Sequence, residues 1–448
     1  MVRAVASCLS LKYYLWVALI LGTSLLAAAE DRQLAADTTT NPLESGVPPR
    51  EPTGLLSLSQ ALALALTESP ELAPFAWQER ADEARVLQAR LRINPFLDLQ
   101  IQDVLGTGAF SGGQQAETTL QLSQVIELGG KRAARTDVAS QARGVTHAEY
   151  ELMRVDVLAK VTQRFIDVVA NQKFLDLAIS NHQSAEDALR TVQSRVRAGR
   201  GSALEAMKAQ VALARGKALV EAARHEQNTA KKILVASWRS TSPVFERAEA
   251  DLFVRKPIPT FEELTSRISS SPEVARWVSK RRLREAEIRL AEALRIPNLT
   301  LAAGVRRLKT VGEQAFVFGF SMPLPLFDRN QGGTAESRAL LGRAEAEREL
   351  AEFRLNALLL KLYEEMVHDI HVMEGLEREI LPKADEALAI SRKGYAQGRF
   401  SYLEVLDAQR TIFDVRHEYI RTATSYHKFL VEIERLTGQP LGGREPQR

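Results

Sequence analysis

The chain has 448 residues, of which 45% are hydrophobic and 26% are charged, and its formal net charge is +3. This composition predicts a folded protein large enough for two or three ordinary domains and excludes a disordered chain. The charges are interspersed and form no basic stripe, so the sequence gives no footprint for binding DNA or RNA.

The first 29 residues have the pattern of a secretion signal. Arg3 and Lys12 flank an apolar run over residues 15–26, and the alanines at 27–29 offer a small-residue cleavage site. The run is shorter than the roughly 20 residues that span a bilayer as a helix, so we expect cleavage and not a membrane anchor. The only cysteine, Cys8, lies in this signal. The processed chain is therefore expected to hold no disulfide and no thiolate metal site.

Residues 30–54 are polar and proline-rich, which predicts a flexible lead-in. Ser57 or Ser59 then caps a short helix, and a second helix begins near Pro70 and is stopped by Pro95.

The pattern then changes to a period of two, which is typical of strands. Residues 96–102 and 120–123 alternate in the first half, and residues 299–306 and 316–322 alternate in the second. We expect four strands in two hairpins. Each has roughly ten residues, close to the about 9–11 with which a tilted strand crosses a bilayer.

Each predicted strand has one apolar and one polar face. Leu97 and Leu99 share a face, whereas Asp98 and Gln100 point the other way. We expect the apolar faces to contact lipid and the polar faces to line a wetted lumen. The aromatic residues expected at the lipid are Phe316, Phe318 and Phe320.

A long helical pattern follows each hairpin. The first runs over about 131–198, and the second over about 334–397 with only Pro382 inside it. Glycine pairs at 129–130 and 332–333 are expected to end the strands before them. At about 1.5 Å per residue such helices are rods of roughly 100 Å, a length that indicates coiled-coil packing.

The sequence is internally duplicated at a spacing of about 200 residues. The turn at 199–205 reads Gly-Arg-Gly-Ser-Ala-Leu-Glu, and the turn at 398–404 reads Gly-Arg-Phe-Ser-Tyr-Leu-Glu. A repeat of this length is a whole supersecondary block. We expect a first repeat over 55–239, an irregular connector over 240–260, a second repeat over 261–438 and a tail over 439–448.

Four strands cannot close a membrane barrel, and an open sheet edge in lipid is prohibitively costly. The strands must therefore pair with other copies of the chain. A trimer supplies twelve strands. A dimer supplies eight, but side chains would fill its lumen.

In all these respects the chain resembles the TolC family of outer-membrane efflux channels. Residues 394–409, Gly-Tyr-Ala-Gln-Gly-Arg through Leu-Glu-Val-Leu-Asp-Ala-Gln, resemble the family's helical-tip signature. The segment 126–132, Ile-Glu-Leu-Gly-Gly-Lys-Arg, is most similar to the heavy-metal, CzcC-like branch. The resemblance implies a mainly α protein with a β-barrel segment. Long helical hairpins and four strands per protomer form a homotrimer, whose 12-stranded barrel continues as a periplasmic α-barrel.

The resemblance also implies a cellular location and partners. The location is the outer membrane of a Gram-negative bacterium, in contact with lipid. The partners are a periplasmic adaptor protein and an RND-type inner-membrane pump that supplies the energy. The expected cargo is heavy-metal cations. A duct of the same fold for drugs or for a type I secreted protein is the alternative, and a periplasmic coiled-coil adaptor or scaffold is a rival from another class.

Two groups of candidate functional residues follow from the resemblance. Glu404 and Asp407 are three apart on one helix face, where acidic rings line the narrow entrance and favour cations. The first repeat has Glu205 and Lys208 in the equivalent places, which could form an ion pair or a mixed-charge ring. The residues expected to contact the adaptor are Arg197, Gly199, Arg200, Gly398 and Arg399.

No motif for catalysis or cofactor binding is present. The seven histidines are scattered, and none lies in a His-Glu-x-x-His motif. His368 and His371 lie near Met366 and Met373, but this spacing spreads the four around a helix, so we expect no metal site there. We therefore expect no enzyme and no cofactor.

Overall fold

A computed structural model describes residues 51–441. The predicted signal peptide and most of the predicted lead-in lie outside the described residues. The strands are β1 Gly54–Leu56, β2 Phe96–Gln102, β3 Glu117–Ile126, β4 Phe245–Ala248, β5 Leu299–Leu308 and β6 Glu313–Ser321. The helices are α1 Leu58–Glu68, α2 Ala73–Arg90, α3 Lys131–Arg197, α4 Ala203–Val235, α5 Phe261–Ile268, α6 Pro272–Ala293, α7 Gln331–Gly375, α8 Leu381–Ala396 and α9 Tyr402–Thr437.

The two long helical rods are confirmed. α3 has 67 residues, which corresponds to about 100 Å. The second rod consists of α7 and α8, joined without a break by a π-helical segment at Leu376–Ile380. Pro382 lies two residues after the end of this segment. Because proline lacks an N–H and crowds the preceding turn, the wider π turn lets the rod continue past it.

The long helices form two layers that share α3. Near the strands, neighbouring helices follow the order α2, α3, α6, α7, and towards the far end they follow the order α4, α3, α9, α8. The main hydrophobic core lies where the two layers meet, around Trp238, Leu264 and Tyr426. In the part of the chain that the structure describes, no helix is long and apolar enough to cross a membrane.

Strands β2, β3, β5 and β6 form one antiparallel sheet in that order, as two hairpins. The register aligns Leu99 with Leu120, Leu120 with Val305 and Val305 with Phe316. All the predicted apolar faces therefore lie on one side of the sheet. Ser123 donates to Asp98 at 3.1 Å on the opposite, polar side.

The apolar face of this sheet is left open, since Phe318 and Phe320 are 79% and 80% exposed. On the polar face, Thr119 and Ser123 of the central strand β3 are buried, whereas the polar residues of the edge strand β2 are exposed. A large open apolar face opposite a polar face suits a sheet with lipid outside and water inside.

The connector differs from the irregular structure that the sequence predicts. Residues Phe245–Ala248 form β4, which pairs in parallel with β1 at Gly54–Leu56. The Trp238 indole Nε1 donates to Glu51 at 2.8 Å beside this pair. About 190 residues separate the partners, so local pattern carries no signal for the pairing.

The prediction that Gly332 and Gly333 end the second hairpin is wrong. Both lie in the first turn of α7, which begins at Gln331. The left-handed residue at the helix start is Asn330, with φ of 52°, and its side chain donates to the Ala291 carbonyl at 2.8 Å. Asparagine tolerates this conformation, so it takes the place that Gly130 has before α3.

Candidate functional site at the helical tips

The two helical hairpins end in turns with the same backbone hydrogen bonds. At the first tip the Arg200 N–H donates to the Arg195 carbonyl at 2.8 Å, and at the second the Arg399 N–H donates to the Gly394 carbonyl at 2.9 Å. Gly199 has φ of 71° and Gly398 has φ of 79°. These are Schellman ends, which need a left-handed residue and so favour glycine.

Each returning helix begins with a reciprocal Ser–Glu contact. The Glu205 N–H donates to Ser202 Oγ at 3.2 Å, and the Ser202 N–H donates to the Glu205 carboxylate at 3.4 Å. At the second tip the Ser401 N–H donates to Glu404 Oε2 at 2.6 Å. Glu205 and Glu404 therefore take part in capping boxes, which fix the start of α4 and α9.

Arg195 connects the two tips. Its Nη1 donates to the Tyr395 carbonyl at the end of α8, and its Nη2 donates to the Arg200 carbonyl in its own turn at 3.2 Å. Its guanidinium also lies 4.6 Å from the centre of the Tyr395 ring. A single forked cation thus joins the free carbonyls of both hairpin ends, which also suits the negative ends of the helix dipoles.

A second contact between the tips is made by the Tyr395 hydroxyl. The Tyr395 hydroxyl donates to Glu205 Oε2 at 3.4 Å. Burial, together with the nearby Glu205 carboxylate, raises the pKa of Tyr395 to about 12. The phenol therefore stays protonated and remains a donor at neutral pH.

A small apolar cluster supports these contacts from within the hairpins. Tyr395 and Tyr402 pack with ring centres 5.8 Å apart. They are buried together with Val192, Ala209 and Val405. Burial also raises the pKa of Tyr402, whose hydroxyl has no partner among the residues that the structure describes. The two hairpins of one chain are thus held together at their ends.

Of the predicted acidic residues, Glu404 and Asp407 are exposed and Glu205 is half-buried, and the three differ in their contacts. Glu404 is held by the Ser401 N–H, whereas Asp407, one turn further along α9, has no hydrogen bond or ion pair within residues 51–441. Glu205 does not form the ion pair with Lys208 that was one of the two predicted arrangements, because its carboxylate faces Ser202 and Tyr395. Of these three carboxylates, Asp407 therefore has the fewest contacts within the chain.

The arginines of the turns point outward. Arg197, Arg200 and Arg399 are exposed, and their side chains form no ion pair in the described part of the chain. Together with Gly199 and Gly398, they make up the outermost surface of the two tips.

Sequence reasoning missed Arg195 and Tyr395, the residues with the most contacts between the tips. Tyr395 lies inside the tip signature, and Arg195 lies two residues before Arg197. The only available signal was a cation one turn before a glycine turn, which favours the last carbonyls of a helix. The contact between hairpins 200 residues apart has no local signal.

The segment 126–132 has a structural role at the junction of sheet and helices. Arg135 donates to both carboxylate oxygens of Glu127, at 2.6 and 3.2 Å, and this bond lowers the pKa of Glu127. The buried Lys131 donates to Asn298 Oδ1 at 2.5 Å, which ties the first repeat to the second. Burial lowers the pKa of Lys131.

The histidine and methionine residues on α7 are separated by the fold. Met366 and Met373 are fully buried in the main core, whereas His368 and His371 are exposed. Among residues 51–441, no group of three or more His, Cys, Asp or Glu side chains is placed to hold a metal ion.

Comparison with known proteins identifies the family that shares this architecture. The outer membrane efflux protein family matches residues 61–238 and 265–439. The chain is 30% identical to the cobalt-zinc-cadmium resistance protein CzcC of Cupriavidus metallidurans, over 87% of this chain and 92% of that one. It is 26% identical to the nickel-cobalt-cadmium resistance protein NccC of Alcaligenes xylosoxydans xylosoxydans, over 67% of each.

The fold is also that of solved channels. The outer membrane protein VceC of Vibrio cholerae superimposes with a TM-score of 0.67 at 16% identity, over 86% of this chain and 96% of that one. The predicted fold class is thereby confirmed, and the match to the outer membrane efflux protein family confirms the predicted outer-membrane location. The family match, the CzcC-like relatives and the sheet-and-hairpin fold agree, and the chain belongs to the outer membrane efflux protein family.

Proposed function

We propose that the chain forms the outer-membrane exit channel of a three-part efflux system that expels heavy-metal cations. The observation that supports this best is the four-stranded sheet, with an exposed aromatic face and a polar face on its other side, at the head of two joined helical hairpins. Such a sheet suits the membrane, and such hairpins suit a conduit below it.

The channel is proposed to be a homotrimer. The sheet has two open edges, β2 and β6, whose backbone groups need partners in lipid. Three copies give twelve strands, and because β2 and β6 run in opposite directions, each new pairing is antiparallel like the others.

Heavy metals are the proposed cargo. CzcC and NccC are named for resistance to cobalt, zinc, cadmium and nickel, and the Ile126–Arg132 segment resembles that branch. The chain is proposed to be a passive duct and not an enzyme. An RND-type pump in the inner membrane would supply the energy through a periplasmic adaptor that contacts the tips at Arg197, Gly199, Arg200, Gly398 and Arg399.

Growth of a deletion strain tests the cargo. Sensitivity to zinc, cobalt, cadmium or nickel, reversed by the wild-type gene, is expected. Sensitivity to dyes and antibiotics alone would contradict the metal cargo and favour a drug duct of the same fold. Normal growth on every compound, with the protein in a soluble periplasmic fraction, would contradict the channel itself.

Glu404, Asp407 and Glu205 are proposed to make the tip selective for cations. In a trimer each residue would form a ring of three carboxylates, and such rings favour cations over anions. Asp407 is expected to contribute most, because the Ser401 N–H partly neutralises Glu404.

Single-channel recording tests this ring. Glu404→Gln is a useful variant, since glutamine can keep the capping box while the charge is lost. Glu404→Gln together with Asp407→Asn should reduce cation selectivity, with Asp407→Asn giving the larger single effect. Lys208→Gln, at the equivalent place in the first repeat, should not reduce it. Unchanged selectivity in the double variant would contradict the proposal that Glu404 and Asp407 make the tip selective for cations.

A further inference from the structure

A groove of about 1150 Å³ lies at the helical end of the sheet, between the end of α2 and the start of α3. The last residues of β3 form one of its walls. Every second residue of a strand shares a face, so Gln124 and Ile126 lie on the same side of β3 as Leu120 and Leu122. The groove therefore adjoins the apolar face of the sheet.

Three exposed arginines line this groove. Arg90 and Arg92 come from the end of α2, and Arg132 comes from the first turn of α3. None of these side chains has a hydrogen bond or ion pair in the described part of the chain. The end of α2 does not need them, because Arg135 Nε already donates to the Ala89 carbonyl at 3.2 Å. The three guanidinium groups are thus left to the groove.

The carboxylates that line the groove are already paired. Glu127 accepts two hydrogen bonds from Arg135, and Asp137 accepts hydrogen bonds from Arg289 at 2.7 and 3.2 Å. Among the lining residues that the structure describes, no other carboxylate is present to neutralise the three arginines. The groove is therefore positively charged, and it offers no free acceptor for the ammonium of a zwitterionic ligand.

The groove also lies at the height of lipid headgroups. From Leu120 to Ile126 the apolar face of β3 extends over about 20 Å. The lipid-facing band of membrane barrels is about 25 Å tall, so this face ends close to the boundary of the hydrocarbon region. Because the helices are periplasmic, the boundary at their end of the sheet belongs to the inner leaflet of the outer membrane.

We propose that this groove binds the headgroup of an anionic phospholipid of the inner leaflet. Arg90, Arg92 and Arg132 hold the phosphate, since the planar guanidinium fork matches phosphate oxygens. The acyl chains lie over Ile93 and Ile126, which line the groove on its apolar side. Pockets for drug-sized ligands have roughly 300–1,000 Å³, so a whole headgroup fits here. The proposal needs the outer-membrane location, but neither the metal cargo nor the trimer.

Native mass spectrometry of the purified, delipidated full-length protein tests this site. Phosphatidylglycerol, an anionic lipid, should occupy a site on each chain that the zwitterionic phosphatidylethanolamine fills more weakly. Arg90→Gln, Arg92→Gln and Arg132→Gln should each weaken the binding of phosphatidylglycerol about fivefold, which corresponds to about 1 kcal/mol for each basic residue. The triple variant should weaken it roughly 100-fold.

A matched triple variant controls for the change in net charge. Arg215, Arg378 and Arg392 are also exposed and have no hydrogen bond or ion pair within residues 51–441. They lie on the long helices, away from the sheet. Replacing these three by glutamine should leave the binding of phosphatidylglycerol unchanged. An equal loss in this control would show that net charge, and not the groove, attracts the lipid, and would overturn the proposal.

Two further comparisons identify the ligand. Inorganic phosphate in excess should not displace phosphatidylglycerol, because it lacks the acyl chains; displacement would indicate a site for free anions and overturn the lipid. Equal binding of the two lipids, or unchanged binding in the triple glutamine variant, would also overturn the proposal. Replacement of the three groove arginines by lysine should give intermediate binding. This variant and the single variants decide the question if the triple glutamine variant does not fold.

Discussion

Replacing Arg195 should loosen both helical tips at once. Its guanidinium donates to the Tyr395 and Arg200 carbonyls and lies 4.6 Å from the Tyr395 ring centre. Hydrogen bonds from a charged group contribute about 1.5–3 kcal/mol each, and a cation–π contact about 0.5–1 kcal/mol at an exposed site. Arg195 is only half-buried and loses water to make these contacts. We therefore expect Arg195→Ala to lower the free energy of local opening at the tips by about 2–4 kcal/mol.

Amide hydrogen exchange measures this directly. A loss of 2–4 kcal/mol raises the equilibrium constant for local opening roughly 30- to 700-fold. The faster exchange should appear in both turns, near Gly199 and Gly398, and not in the main core around Trp238. Arg195→Lys should give an intermediate result, since lysine keeps the charge but cannot bridge two carbonyls with a planar fork.

Arg197→Ala is the matched control for this experiment. Arg197 is a neighbouring arginine that is exposed and has no ion pair within residues 51–441. Arg197→Ala should leave amide hydrogen exchange in the second tip unchanged. If Arg195→Ala also affected only its own turn, the reasoning that Arg195 joins the two hairpins would be wrong.

Three other predictions concern stability and titration. Tyr395 should titrate near pH 12, so the difference in phenolate absorbance between wild type and Tyr395→Phe should rise around pH 12 and not 10. Since the folded state binds this proton more tightly, the stability it contributes is complete below pH 10 and is lost as the pH rises through 12. Gly129→Ala should lower the unfolding temperature more than Gly130→Ala. Both have φ of 71°, but only at Gly129 would the new Cβ lie 2.7 Å from a side chain, that of Ile296. Asn298→Leu should destabilise the chain by about 1–3 kcal/mol in denaturant unfolding by leaving the Lys131 ammonium unpaired, and adding Lys131→Met should recover part of the loss.

Features that depend on local pattern could be predicted from the sequence. Alternation placed the four strands and their apolar faces, and the absence of proline over 131–198 gave the first rod almost to the residue. The glycines at the tips predicted both turns, because the end of each helix needs a residue in the left-handed conformation.

Features that depend on partners distant in the sequence could not be predicted. The β1–β4 pair, the Lys131–Asn298 contact and the bridge from Arg195 all join segments more than 160 residues apart. Gly332 and Gly333 were misplaced because a glycine pair ends a strand and starts a helix equally well, and Asn330 took the left-handed position. The arginine and tyrosine of the tip have no motif of their own.

The two duplicated tips share one backbone conformation, but they carry different side chains. The hydrogen bonds of each turn use a left-handed glycine, a serine and a glutamate, so the remaining positions were free to diverge after duplication. Gly201 in one tip is Phe400 in the other, and Lys208 in one is Asp407 in the other. A ring of six such tips would offer a docking hairpin six turns with the same backbone, but with two alternating sets of side chains. A partner that recognises one set would bind every second tip, and binding all six would require two distinct binding modes.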